Sequence, residues 1–187
     1  MRTHRFNRVV VLALCLGLVG SLTLPGVAQA KTAQEIDASV NAALDRFYSK
    51  VRGGQDLVQK ARGVLVFAGV IKAGIGIGGE YGEGALRIGG RTNAYYSIAA
   101  ASIGLQLGAQ KKDVIIVFLE DSALRKFQAS DGWKVGVDGS VVLIDVGANA
   151  SIDTSKINEP IVGFVVGQKG LMYNLTLEGS KISKLKK

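Results

Sequence analysis

The chain has 187 residues, 48% of them hydrophobic, a formal net charge of +8, one histidine and one cysteine. His4 and Cys15 both lie near the N-terminus, so the body of the chain has neither a Ser–His or Cys–His nucleophilic pair nor a zinc site built on histidine and cysteine. The surplus of lysine and arginine favours anionic partners.

Arg2, His4, Arg5 and Arg8 precede the apolar run Val9 to Leu24, which Pro25 and Gly26 end, and Ala28-Gln29-Ala30 follows with small residues at its two outer positions. A basic start, a short apolar stretch and an A-x-A site mark a secretory signal. A membrane-spanning helix needs about 20 apolar residues, and this run is shorter, with Gly17, Gly20 and Ser21 inside it. Bulky Leu14 before Cys15 argues against a lipidated cysteine. The expectation is export to the periplasm or cell envelope, with cleavage after Ala30. Loss of Arg2, Arg5 and Arg8 takes the formal charge from +8 to +5. Residues 31–187 then form one domain of ordinary size. Of the anionic partners, nucleic acid is the one an exported chain would not meet.

Thr32-Ala33-Gln34-Glu35 has the spacing of a capping box. Ile36, Val40, Ala43, Leu44, Phe47 and Val51 then recur at helical spacing to about Arg52. Gly53-Gly54 ends this helix, and a second short one is expected over 55–62. From Gly63 the pattern changes. Gly63 to Ile71 is an apolar run of the kind buried in a sheet, and Ala101 to Gln110 alternates with period two. Lys111-Lys112-Asp113 reads as a turn into a second buried run, Val114 to Leu119. Glu120 to Phe127 reads as a short helix capped by Asp121 or Ser122. One or two strands are expected over 133–152, and a hairpin over 161–179 turning at Gln168-Lys169-Gly170. The basic tail from Ser180 is expected to fray. The fold class is α+β: a mainly antiparallel β-sheet, barrel- or sandwich-like, preceded by N-terminal helices.

Gly74, Gly76 and Gly79 spell G-x-G-x-x-G. A dinucleotide site needs a helix to start inside that motif, yet Glu80, Tyr81, Gly82, Glu83 and Gly84 follow, with two more glycines and two carboxylates that would repel phosphate. No G-K-[ST] follows either. In an extended segment, Gly74, Gly76, Gly78, Gly82 and Gly84 share one face and Ile75, Ile77 and Tyr81 the other. A glycine-lined face permits close backbone approach or sharp coiling, and packing within the sheet is preferred over a ligand groove. A turn at Gly79 to Gly82 is the alternative.

Glu80 and Glu83 would lie about 10 Å apart on opposite faces of a strand, poor geometry for an acid–base pair. Asp138, Asp145 and Asp153 lack EF-hand spacing and read as solvated turn acids. No catalytic residue, metal site or cofactor is assigned. Asn174-Leu175-Thr176 is a chance-level sequon. Tyr95, Tyr96 and Trp133 suit either a membrane interface or the core. The amphipathic first helix suits either a membrane surface or an open sheet.

The blocks Ala61 to Leu86, Tyr95 to Phe118 and Lys169 to Ser180, in order and at matching spacing, resemble the SYLF domain family, whose members include yeast actin-patch proteins and animal proteins with Src-homology or zinc-finger domains. The resemblance implies a compact, non-catalytic module that binds phospholipids through an N-terminal amphipathic helix and a basic surface. Carried onto this chain, it implies headgroup contacts at Arg46, Lys50, Lys60, Arg62 and Lys72, Lys72 opening the matching K-A-G block, and membrane contact by Ile36, Val40, Leu44 and Phe47. The chain looks like the stand-alone bacterial branch, for which anionic phospholipids replace phosphoinositides. Some yeast members bind actin, which an exported protein would not normally meet. The second expectation is a structural envelope protein that binds another protein through the glycine-lined sheet or the first helix.

Overall fold

The fold is built on one long β-hairpin. The computed structural model describes residues 30–144, 157–167 and 177–187, with the side chains of 74–76 and 102–109 outside that description. The expected signal segment, the turn at Gln168 to Gly170, Asp145, Asp153 and the Asn174 sequon lie outside the described residues.

Helix α1 (Ala33–Lys50) starts at the capping box read from the sequence: Glu35 N–H donates to Thr32 Oγ1 at 3.2 Å, and Thr32 N–H donates to Glu35 Oε2 at 2.7 Å. Helix α2 (Gly54–Lys60) follows. Strand β1 (Gly63–Ile88) turns at Gly89-Gly90 into β2 (Arg91–Phe118), and the two pair antiparallel from Gly63↔Phe118 to Ile88↔Arg91. Helix α3 (Asp121–Gln128) has Glu120 as its N-cap, one residue earlier than read and without a side-chain cap bond. Short strands β3 (Trp133–Lys134) and β4 (Val142–Leu143), then β5 (Ile161–Gly167) and β6 (Lys181–Leu185), complete the sheet. Strand β2 carries β1 along one edge; on its other edge it pairs with β5 over Lys112–Phe118 and with β6 over Tyr95–Ala99.

The sheet is buried on both faces near the open end of the hairpin, which is why its strands read as unbroken apolar runs. Val64, Val66, Ala68, Ile115, Val117 and Phe164 face α1 and α2, packing on Ile36, Val40, Ala43, Phe47 and Leu57. Leu65, Phe67, Val114, Ile116 and Phe118 face the other way, onto Phe127 of α3 and Trp133. The Phe127 ring sits 5.0 Å from those of Tyr96 and Phe118 and 5.6 Å from Trp133, which it meets edge-on. Trp133 and Tyr96 are therefore core residues.

The ribbon coils back on itself, and the glycines permit it. A Cβ on Gly84 would lie 2.0 Å from the Val66 carbonyl oxygen, and one on Gly82 would lie 2.7 Å from Val70 Cγ2. Backbones eighteen residues apart in the same strand thus touch, and the sheet curls into a half-barrel. There is no turn at Gly79 to Gly82; β1 runs straight through. The parity reading holds there: Gly82 and Gly84 face inward, while Ile77 and Tyr81 face out.

Two expectations are corrected. Lys111-Lys112-Asp113 is not a turn but the middle of β2. Its charges can lie in a sheet because each inward one meets an opposite charge, and because β1 bulges between Phe67 and Val70, where Gly69 takes φ +67 and donates its N–H to Asp113 Oδ1 at 2.8 Å. The tail from Lys181 does not fray: Ile182 is buried between Ile98 and Trp133, and β6 pairs with both β2 and β3.

Candidate functional site

Three carboxylates lie buried in the ribbon, and each has its own cation. Glu80 and Lys112 meet at 2.8 Å with side chains 7% and 2% exposed. Asp113 accepts from Arg46 Nε at 2.8 Å, and this bond above all raises the Arg46 pKa. Glu83 accepts from the Lys31 backbone N–H at 3.2 Å, from the Tyr81 hydroxyl at 3.1 Å and from Lys187 Nζ at 3.4 Å. Burial, then that bond to Glu83, raises the Tyr81 pKa. Glu80 and Glu83 are thus two separate ion-pair sites rather than one acid–base pair. Asp138 is a turn acid, accepting from the Lys134 N–H at 2.6 Å.

The expected headgroup residues do not form one patch. Arg46 is committed to Asp113, and Lys50 donates to the Gly167 carbonyl at 2.9 Å, tying α1 to β5. Lys60 is exposed at the end of α2. Arg62 lies 3.5 Å from Asp121, both largely exposed, a pairing worth about 0–1 kcal/mol. Lys72 is half-buried and shares by parity the inner face of Val70 and Glu80, away from Ile71 and Ile77.

The helix face expected on a membrane is given to the sheet. Ile36, Val40 and Phe47 are buried, and Leu44 packs against the same cluster. Moving α1 onto lipid would exchange one apolar burial for another of similar size. It would also break the Arg46–Asp113 pair and the bonds from Thr92, Tyr95 and Arg87 to Asp37, at 2.6, 2.9 and 3.4 Å. Lifting α1 would also uncover the apolar sheet face that it packs on, Val64, Val66, Ile115, Val117 and Phe164, which favours docking on the sheet.

The surface that sequence reasoning missed is the continuation of that helix-covered face. The bulge at Gly69 shifts the parity, so the face that carries Val66 and Ala68 under α1 runs on through Ile71, Ala73, Ile77, Gly79 and Tyr81, and among the described residues no helix covers it there. Ile77 is 78% exposed, and Ile71 and Tyr81 are each 52% exposed. Alternation in Ile77-Gly78-Gly79-Glu80-Tyr81 was the available signal; where the helix stops was not in the sequence. Among the described residues, no group of three or more acidic, histidine or cysteine side chains could hold a metal ion, and no helix is long and apolar enough to cross a membrane.

A family model described as Las17-binding protein actin regulator (Ysc84) matches residues 99–187. SH3 domain-containing YSC84-like protein 1 of Xenopus laevis is 28% identical over 129 residues, which are 66% of this chain and 38% of that protein. The chain thus matches well under half of that relative's length. The matched segment takes in β2 from Ala99 onward, β5 and β6, and together the two likenesses support the resemblance to the SYLF-domain family read from the sequence.

Proposed function

We propose that this is an exported, non-enzymatic lipid-binding domain that associates with anionic phospholipid headgroups. The SYLF family is a non-catalytic domain family associated with lipid binding and actin-related adaptor roles. The observation that carries the reading is the internal neutralisation of acid: Glu80, Glu83 and Asp113 each meet a cation inside the fold. The surplus of lysine and arginine is therefore displayed on exposed side chains. Among the described residues Lys60 and Lys111 are exposed with no carboxylate at ion-pair distance, and Lys72 is half-exposed and likewise unpaired. Each lysine or arginine near an anionic surface contributes about 1 kcal/mol, so a few together give reversible, salt-sensitive binding.

Cosedimentation with vesicles tests this, using protein recovered from the expressing host with its N-terminus read by mass spectrometry. Binding to anionic but not neutral vesicles, lost at high salt, is expected. Indifference to vesicle charge would refute the headgroup reading. The description of the family model as a Las17-binding actin regulator favours a second reading, a protein-interaction module. Pelleting with actin filaments but not with vesicles would select it, and an N-terminus still carrying the apolar segment would refute processing.

A further inference from the structure

We infer that the bare face of the ribbon, Ile71 to Tyr81, is the surface that enters the interface of an anionic bilayer, while α1 stays docked. This rests on the lipid-binding reading above. At its Tyr81 end the face is apolar and low in relief: Gly79 lies between the exposed side chains of Ile77 and Tyr81, and the residues paired with Gly79 and Tyr81 are Ala101 and Ala99. Alanine and glycine leave the large side chains standing clear of the backbone, so they can reach past the headgroups without the sheet bending. Three of the five large hydrophobic residues exposed among the described residues fall within this eleven-residue stretch, and such concentration marks a contact surface rather than scattered surface residues.

Charge selects the occupant. The acids of this ribbon are withdrawn: Glu80 lies on the inner face with Lys112, and Glu83 is buried under Lys31, Tyr81 and Lys187. Cations frame the face instead. Exposed Lys111 pairs in register with Ile71 at one end. At the other end, the register line from Tyr81 through Ala99 continues to Lys181 on β6 and Lys134 on β3, both exposed. An apolar strip between lysines, with a half-exposed tyrosine at its edge, matches the layering of a bilayer surface: acyl chains below, phosphates at the rim, and an amphipathic ring between.

Two variants test this with vesicles of phosphatidylglycerol and phosphatidylcholine. The double substitution Ile71→Ser/Ile77→Ser, at side chains 52% and 78% exposed, should lower the melting temperature only slightly and should weaken vesicle binding about tenfold or more. In Ile77→Trp, the added indole should shift to the blue on anionic vesicles and be quenched by lipids brominated in their acyl chains, against a constant background from buried Trp133. Wild-type binding that the double substitution leaves intact, with an indole that stays in water, would overturn this inference and spare the headgroup reading. Absence of wild-type binding would overturn both. A wild-type dimer in sedimentation velocity that Ile77→Ser dissociates would assign the face to a second copy of the chain and overturn the inference as well.

Discussion

Alanine at Gly84 tests whether coiling of the ribbon is what the glycine-rich segment is for. The new Cβ would lie 2.0 Å from the Val66 carbonyl oxygen, and 2.8 Å from both the Val66 carbonyl carbon and Phe67 Cδ1. The obstruction is backbone, and both segments are held from their other edge, Gly84 by Tyr96 and Val66 by Ile115. Relief by a rotamer change is therefore closed, and the two layers must part by more than an ångström. Overpacking of a well-packed interior costs about 1–3 kcal/mol and occasionally more; a backbone target puts Gly84→Ala near the top, about 3 kcal/mol. At about 2–4 °C per kcal/mol for a chain of this size, the melting temperature should fall by about 6–12 °C. Gly79→Ala, five residues away on the open face, is the control: its Cβ would meet only the Ala100 oxygen at 3.9 Å. There the loss of unfolded-chain entropy should stabilise by about 0.4–1 kcal/mol. Thermal and urea unfolding followed by circular dichroism give both numbers. Equal melting of the two variants would refute the close approach of Gly84 to Val66.

Lys112→Met should destabilise by about 3–5 kcal/mol because it leaves the Glu80 carboxylate buried and unpaired, and adding Glu80→Leu should recover most of that; additive losses in urea unfolding would contradict a buried pair. The Glu35 pKa is lowered, first by the Thr32 backbone N–H and then by the Thr32 side chain. A depressed folded pKa means that its contribution is complete above the ordinary glutamate range and is lost as pH falls through the folded value. The melting-temperature gap between wild type and Glu35→Gln should therefore close on acidification, and a gap independent of pH would contradict the capping role. Cleavage at Ala30–Lys31 would turn the amide that donates to Glu83 at 3.2 Å into an α-ammonium beside the same carboxylate. A chain starting at Lys31 should then melt higher than its N-terminally acetylated form, and Glu83→Gln should abolish the difference; equal melting in the Glu83 background would contradict the pairing.

Local chemistry was legible wherever it is local. Thr32 and Glu35 are three residues apart, so their reciprocal bonds could be read directly, and the apolar period of α1 needs only its own sequence. The twin runs Gly63 to Ile71 and Val114 to Leu119 announced strands buried on both faces. Lys112 was misread because its partner, Glu80, is thirty-two residues away, and no pattern within Lys111-Lys112-Asp113 distinguishes a hydrated turn from two inward charges with partners. Ile182 was misread for a similar reason: in a basic tail, one apolar residue decides burial only once Ile98 and Trp133 surround it. The candidate surface was hidden at the level of tertiary placement. Ile77 and Tyr81 were assigned to one face, but which stretch of it α1 leaves bare depends on the Gly69 bulge and on where the helix ends over the sheet.

The most direct measurement is amide hydrogen exchange of the processed chain with and without anionic vesicles. Contact through the ribbon with α1 docked requires slower exchange across Ile71 to Tyr81 and at Ala99 to Ala101, with exchange across Ala33 to Lys50 unchanged. A change confined to Ala33 to Lys50, with the ribbon unaffected, would mean that the helix leaves the sheet for the membrane and would contradict the central claim.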